Sequence, residues 1–236
     1  VAGLTNRLLA RLARVVLQAF PGSFNSKIAA ETVGNPVRDD IAAVPPPDVR
    51  FRDRGGPPRL LVLGGSQGAL ALNRTVPAAL ARLPADRRPL VRHQCGSRTA
   101  DAARAAYGEH GLEAELVPFI DDMAGAYAWA DLVVCRAGAL TVAELCAAGL
   151  PALFVPYPAA VDDHQTANAR PMADAGAAVI IDESRLTAEV LAVELERWLG
   201  DRQRLAERAA AARRLAQPNA LRRITELCLE LAGVTT

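Results

Sequence analysis

Five residues, Gly64-Gly65-Ser66-Gln67-Gly68, close an apolar run and fit two incompatible chemistries. As G-x-S-x-G they read as a nucleophile elbow, with Ser66 attacking an ester from a sharp strand-to-helix turn. As a glycine-rich turn they instead offer backbone N–H groups to a phosphate. Two common phosphate motifs are excluded by single positions. A dinucleotide fingerprint needs glycine at 63, where Leu63 stands, and a P-loop needs Gly-Lys-Ser/Thr where Ala69 and Leu70 stand. The elbow has a triad available in chain order: Ser66, then Asp131 or Asp163, then His164. It lacks the rest of its context. The preceding segment shows neither several strands nor an H-G-G-G-like oxyanion stretch, and another strand and three helical segments follow His164.

A second turn repeats the phosphate theme. In "ADLVVCRAGALTVAELCAAGLPALFVPYP" (130–158) an apolar run ends at Cys135, Gly138 makes the turn, and a helix opens near Ala139 with Thr141 in its first turn. Unpaired N–H groups and the positive end of the helix dipole make an anion site there. Glu144 follows one turn further in. A carboxylate on such a helix is ordinarily a solvated surface residue, but one turn behind a phosphate it is placed to accept both hydroxyls of a ribose. No D-x-D triplet occurs, and the adjacent pairs Asp121–Asp122 and Asp162–Asp163 point in different directions, so no metal is expected.

These turns need a scaffold that brings them together. Apolar runs at 60–63, 89–95, 114–118, 131–135, 152–155 and 177–181 alternate with helical patterns near 68–82, 98–109, 121–129, 139–148, 163–175 and 187–198. Such alternation predicts a Rossmann-like parallel sheet with helices on both faces, whose ligands bind at the carboxyl ends of the strands. Two further helices are predicted at 201–215 and 218–232. At the other end, Leu4 to Val16 reads as an amphipathic helix with Arg7, Arg11 and Arg14 on one face. Residues 38–58 read as a linker from their proline, glycine and charge.

Composition narrows the class further. The 236 residues carry a net charge of +1, which argues against a nucleic-acid partner. No run of 18 apolar residues is present, because Gly149, Pro151, Pro156 and Pro158 interrupt the most apolar stretch. Cys95, Cys135, Cys146 and Cys228 show no C-x-x-C spacing and read as buried thiols. The chain begins at Val1, which suggests a fragment. His93, His110, Tyr127 and Trp129 carry no motif and read as structural.

"GGSQGA", "FIDDMAGAYAWADLVVCRAGALTVAELCAAGLPALFVPYP" and "DDHQTANA" together resemble the carboxyl-terminal half of the MurG family. That family comprises the UDP-N-acetylglucosamine:undecaprenyl-pyrophosphoryl-muramoylpentapeptide N-acetylglucosaminyltransferases. "GLTNRLLARLA", "AFPGSF" and "VGNPVR" resemble the last part of its amino-terminal domain. The resemblance implies a GT-B glycosyltransferase that moves GlcNAc from UDP-GlcNAc to lipid I, giving lipid II with inversion and without a cofactor. It divides the chain into an acceptor-domain remnant (1–38), a linker (39–57), a donor domain (58–216) and a carboxyl-terminal helix (217–236) that crosses back. Arg38 and Ser66 would contact the diphosphate, and Ile120 would hold uracil through its backbone. Ala139, Leu140 and Thr141 would meet the phosphates, Glu144 the ribose, and His164 and Gln165 the GlcNAc hydroxyls, with Val142 in the same substrate-binding set. The presumed catalytic base would lie before Val1, so no catalytic residue is expected in this chain, which alone would be inactive. The implied location is peripheral, on the cytoplasmic side of the bacterial inner membrane. A UDP-GlcNAc 2-epimerase-like protein or a non-catalytic sugar-nucleotide-binding module are the alternatives beside the Ser66 hydrolase.

Overall fold

The alternation that starts after residue 58 is an alternation of strand and helix in space. The computed structural model describes residues 2–65, 68–158 and 163–233. The chain opens with α1 (Leu4–Leu9), β1 (Val16–Gln18), β2 (Ala30–Thr32), α2 (Asp39–Ala42) and α3 (Pro47–Arg50). It continues through β3 (Arg59–Leu63), α4 (Leu70–Arg82), β4 (Leu90–Gln94), α5 (Ala100–Glu109), β5 (Glu115–Val117) and α6 (Met123–Trp129). Next come β6 (Leu132–Cys135), α7 (Ala139–Ala148), β7 (Ala152–Phe154), α8 (His164–Asp174) and β8 (Ala178–Ile180). Three helices close the chain: α9 (Ala188–Leu199), α10 (Arg202–Arg214) and α11 (Ala220–Ala232). All six runs expected to be strands form one sheet in the order β5-β4-β3-β6-β7-β8, and every neighbouring pair is parallel.

Continuous apolar runs suit a sheet covered on both faces, because side chains on successive residues enter opposite cores. Leu61, Leu63, Val133, Cys135 and Phe154 join one buried cluster with Tyr127, Val142 and Leu145. Leu60, Val62, Leu132, Val134 and Leu153 join the other, with Leu72, Val76, Leu80, Leu195 and Trp198. The period of two in the strands thus sorts the helices into two layers.

The amino-terminal segment departs from the sequence reading. The expected helix over 4–16 stops at Leu9. Val16, in a β-branched pair with Val15, starts a short strand that pairs in parallel with Ala30–Thr32, as β-branched residues favour. The proline-rich stretch 39–57 carries α2 and α3, with Ile41 and Val44 buried against the sheet's core. Two arginines, Arg50 and Arg54, anchor it. Arg54 Nη1 donates to the carbonyls of Trp129 (2.9 Å) and Ala130 (3.0 Å) and pairs with Asp131 Oδ1, while Asp131 Oδ2 accepts from the Arg59 N–H at 2.9 Å. Asp131 is fully buried, so each oxygen needs the partner it has. Composition suggested a linker because proline and charge are common in both loops and clamps. Cys228 also differs from expectation. It lies exposed on α11, whereas the other three thiols are buried. No described helix is long and apolar enough to cross a membrane.

His93, inside β4, is completely buried against Tyr107, its Nδ1 3.1 Å from the phenolic oxygen. Burial pushes its pKa down to about 4. In the unfolded chain an imidazole titrates near 6.5, so between those values the unfolded state takes up a proton that the folded state refuses. Stability is therefore expected to fall as pH drops from 7 towards 4, by roughly 3 kcal/mol from this residue alone. His93→Asn should be less stable at pH 7 but show a flatter pH dependence in urea unfolding. Equal slopes for the two proteins would refute the assignment.

Candidate functional site

Strand order reverses between β3 and β6, which lie side by side with Leu63 opposite Cys135. The turns that leave these two strands therefore emerge together at the carboxyl edge of the sheet, where an α/β fold forms its ligand crevice. In the first turn the Gly64 N–H donates to the Gln94 carbonyl at 2.9 Å and the Gly68 N–H to Gly65 O at 3.0 Å. Gly68 has φ +78°, and a Cβ there would overlap the Thr99 hydroxyl and sit 2.6 Å from the Cys95 carbonyl. Glycine is thus required twice over, by backbone sign and by space. Asn73, near the start of α4, donates to the carbonyls of Cys95 (3.0 Å) and Thr99 (3.2 Å), which fixes this turn to the loop after β4. Ser66 and Gln67 lie outside the described residues.

The second turn opens α7 from Gly138, and no described side chain caps it. Asp122, Thr187 and Asp201 accept from the first turns of α6, α9 and α10, whereas α4, α5, α8 and α11 share with α7 the lack of a side-chain cap. The first-turn N–H groups of Ala139, Leu140 and Thr141 are therefore the ones α7 can offer to an anion. Val142 differs: its N–H is bonded to Gly138 O at 2.9 Å and its side chain is fully buried. At the other end Gly149 (φ +63°) closes α7 in the left-handed region. There Arg50 donates to the carbonyls of Ala148 and Gly149, the latter at 2.7 Å. Burial lowers that guanidinium's pKa to about 10, so it remains a cation at the negative end of the dipole.

Arg38 and Glu144 are brought to this same corner. Asn35 Nδ2 donates to Ala139 O at 3.2 Å and so ties the "GNP" loop to the start of α7. Arg38 follows as the residue before α2, exposed, its Nε 3.6 Å from Asp40 Oδ1. Glu144, half-buried, accepts a hydrogen bond of 2.9 Å from the hydroxyl of Tyr127. Tyr127 is 1% exposed. Its phenol is pushed well up by burial first and by the Glu144 charge second, with Arg38 acting in the opposite sense. Ile120, in the turn before α6, packs its side chain into the core.

At the end of β7 a cleft of about 320 Å³ is lined by Gly64, Gly68, Arg136, Tyr157, Gln165 and Glu183, among others. Gln165 Oε1 accepts from the Ala137 N–H (3.2 Å) and the Tyr157 N–H (3.0 Å), so its carbonyl holds the loop while its amide nitrogen is the group it can offer a ligand. Arg136 donates to Val155 O (2.9 Å) and Pro156 O (3.1 Å) and pairs with Glu183. His164 is the first residue of α8, half-buried and one step before Gln165. The hydrolase triad loses one of its two acids, because Asp131 lies at the start of β6, at the opposite end of the sheet, bound to Arg54 and Arg59.

Residues 59–224 match the glycosyltransferase family 28 C-terminal domain. The chain belongs to that family. It is 58% identical over 232 residues to the UDP-N-acetylglucosamine--N-acetylmuramyl-(pentapeptide) pyrophosphoryl-undecaprenol N-acetylglucosamine transferase of Alkalilimnicola ehrlichii, covering 98% of this chain and 65% of that protein. It is 53% identical to the same-named protein of Marinobacter nauticus, covering 99% and 64% respectively. The crystal structure of Acinetobacter baumannii MurG superposes with a TM-score of 0.86 at 44% identity, over 96% of this chain and 63% of that one. The chain thus spans somewhat under two thirds of the curated relatives it matches. Its sheet is the Rossmann-like unit of a GT-B family 28 glycosyltransferase.

Sequence reasoning missed Tyr127, Arg136, Arg50 and Asn35 as parts of this region. The partners that place them here (Glu144, Val155, Ala148 and Ala139) are 17 or more residues away in sequence, so only the parallel sheet reveals them; the phenol of Tyr127, which when buried needs a partner, is the one available signal. Gly68→Ala is expected to lower thermal stability, since it combines a positive φ with a clash against the backbone of residue 95. A loss of about 1–3 kcal/mol corresponds to several degrees in Tm, read by calorimetry. An unchanged Tm would show that the turn can relax.

Proposed function

We propose that this chain is the donor-binding part of an inverting N-acetylglucosaminyltransferase. The whole enzyme would move GlcNAc from UDP-GlcNAc to lipid I, the undecaprenyl-pyrophosphoryl-linked N-acetylmuramyl-pentapeptide, to give lipid II. The observation that carries this reading is the pairing of an uncapped α7 amino terminus with a carboxylate one turn further in, at the edge where β3 and β6 end side by side. A diphosphate fits the N–H groups of Ala139, Leu140 and Thr141, with Arg38 on its flank; Ser66, outside the described residues, is assigned to it by the resemblance alone. The Glu144 carboxylate then meets the ribose and the Ile120 backbone the uracil. His164 and the Gln165 amide would address the sugar. Val142 contributes packing rather than a ligand contact, because its N–H is spent within the helix. The residues resemble a phosphate cradle more than a hydrolytic centre, and the high identity to named transferases favours transfer over epimerisation.

In such a reaction the acceptor hydroxyl attacks C1 of the donor sugar and forms the new C–O bond. The bond from C1 to the diphosphate breaks, its electron pair going to UDP, and the acceptor proton passes to a base. One in-line displacement inverts the anomeric centre. What these residues supply is stabilisation of the departing diphosphate by a helix terminus, backbone amides and an arginine. The base and acceptor surface belong, in this reading, to the part of the relatives' length that residues 1–236 do not span. The 1–38, 39–57, 58–216 and 217–236 division follows from the same reading. Arg223 Nε and Nη2 on Glu31 (2.7 and 3.0 Å) are in keeping with a final helix that returns to the first segment. A lipid-linked acceptor implies work at the cytoplasmic face of the inner membrane. The exposed leucines of α1 (Leu4, Leu8 and Leu9), beside Arg7 and Arg11, suit either such a surface or a further domain.

Calorimetric titration tests the donor assignment directly: UDP-GlcNAc should bind, and GDP-mannose should not. Glu144→Gln keeps the shape and removes the charge, so UDP should bind roughly 10- to 100-fold more weakly, the range expected for charge-assisted hydrogen bonds. With 2′,3′-dideoxy-UDP the same substitution should cost little. Equal losses on both ligands at unchanged Tm would remove Glu144 from the ribose.

A further inference from the structure

The hydrogen bond between Tyr127 and Glu144 links two parts of the crevice that the sequence keeps apart. Tyr127 stands on α6, seven residues after Ile120, and Glu144 stands on α7. α6 is short but firmly started: Asp122 Oδ1 accepts the Gly125 N–H at 2.8 Å, and a Cβ at Gly125 would meet the Asp122 carboxylate carbon at 2.8 Å. Tyr127 itself is 1% exposed, packed in the cluster with Val142 and Leu145. Its ring is thus held by the core, and its hydroxyl is a polar atom whose burial requires a partner. Glu144 Oε2 is that partner, at 2.9 Å.

A carboxylate has about four lone-pair sites, and its side chain has three rotatable bonds that solvent exposure leaves free. A buried donor that cannot itself move removes one site and selects the rotamer. The remaining lone pairs are then presented in a fixed direction before any ligand arrives. Because the same short helix begins at the turn of Ile120, the spacing between the backbone that would hold a base and the carboxylate that would hold a ribose is set by one rigid element.

We infer that Tyr127 is a positioning residue for Glu144, which makes the crevice selective for a nucleotide carrying ribose hydroxyls, and this rests on the donor reading proposed above. Tyr127 touches no ligand in this arrangement; it acts through the carboxylate. Preorganisation of this kind improves affinity by removing the cost of ordering Glu144 on binding.

Tyr127→Phe removes one oxygen and leaves the ring. The wild-type chain should bind UDP more tightly than 2′,3′-dideoxy-UDP, and the variant should lose roughly three- to tenfold in UDP affinity while its affinity for the dideoxy ligand stays within twofold. In a Glu144→Gln background the same substitution should add no further loss, the non-additivity expected of two residues acting as one unit. A purely structural tyrosine would lower the affinity of both ligands alike, or lower only Tm, and either result overturns the inference while leaving the donor reading intact. A wild-type chain that fails to discriminate UDP from its dideoxy analogue overturns both. Both ligands bind the folded chain in the same calorimeter, so a variant that does not fold is recognised by its missing unfolding transition. Tyr127→Met, which fills the space without a hydroxyl, then repeats the comparison.

Discussion

Parallel pairing of β3 with β6 is the constraint on which the rest of this structure hangs. A parallel pair cannot be closed by a hairpin; it needs a crossover, and here the crossover contains two more strands laid on the far side of β3. The chain must then return and start again from the centre. That return makes two strand ends adjacent although 72 residues separate Leu63 from Cys135. Both ends turn through glycine, and both lead into a helix whose amino terminus points back at the same crevice. Neither turn alone distinguishes a phosphate site from a tight bend. Their adjacency at one edge of the sheet is what the phosphate reading proposed above rests on.

The adjacency has an electrostatic cost that other parts of the chain offset. α7 keeps its positive end open, which would favour fraying in an isolated helix of ten residues. Arg50 fixes its opposite end, with the guanidinium on the last carbonyls and α3 wedged against Gly149, where Pro47 leaves no room for a Cβ. Arg54 does the same for the end of α6, through the carbonyls of residues 128–130 and the buried Asp131. Breaking such a buried pair from one side costs about 3–5 kcal/mol. The segment 39–57 therefore serves as a brace for the two helices that shape the crevice.

Much of this was legible in the sequence, for a definite reason. Continuous apolar runs of four to seven residues separated by amphipathic stretches admit few folds, and all six strands and the helices after residue 58 lie within about two residues of expectation. α7 runs from Ala139 to Ala148 as read from its pattern, because Gly138 and Gly149 bound it on both sides. What failed was local reading where side chains act over long sequence distances. Arg50 and Arg54 look like linker charges until α6 and α7 are placed beside them. Tyr127 looks like packing until Glu144 is seen 2.9 Å away. Val142, which the resemblance groups with its neighbours, has its N–H committed to Gly138 by helix geometry. The stretch 10–16 failed differently, since the helical spacing of Leu4, Leu8 and Leu12 competed with the β preference of Val15 and Val16 and lost.

If the start of α7 holds a diphosphate, as proposed above, the nearness of Glu144 poses a final physical question. One helical turn is about 5.4 Å, and two unit charges at that distance repel by about 3 kcal/mol at an effective dielectric constant of 20. A diphosphate at the start of α7 and a carboxylate one turn in would thus oppose each other unless the charge is met on both sides. The α7 amino terminus supplies roughly half a positive charge to the phosphate side, and Arg38 supplies a whole one, screened because it is exposed. On the carboxylate side the Tyr127 hydroxyl donates to Oε2, and ribose hydroxyls would donate to the remaining lone pairs. A nucleotide without those hydroxyls would bring the phosphate repulsion and none of the relief. In the donor reading proposed above, selectivity for the ribose would therefore follow from that repulsion, because a ligand bringing hydroxyl donors to Glu144 would offset it and one lacking them would not.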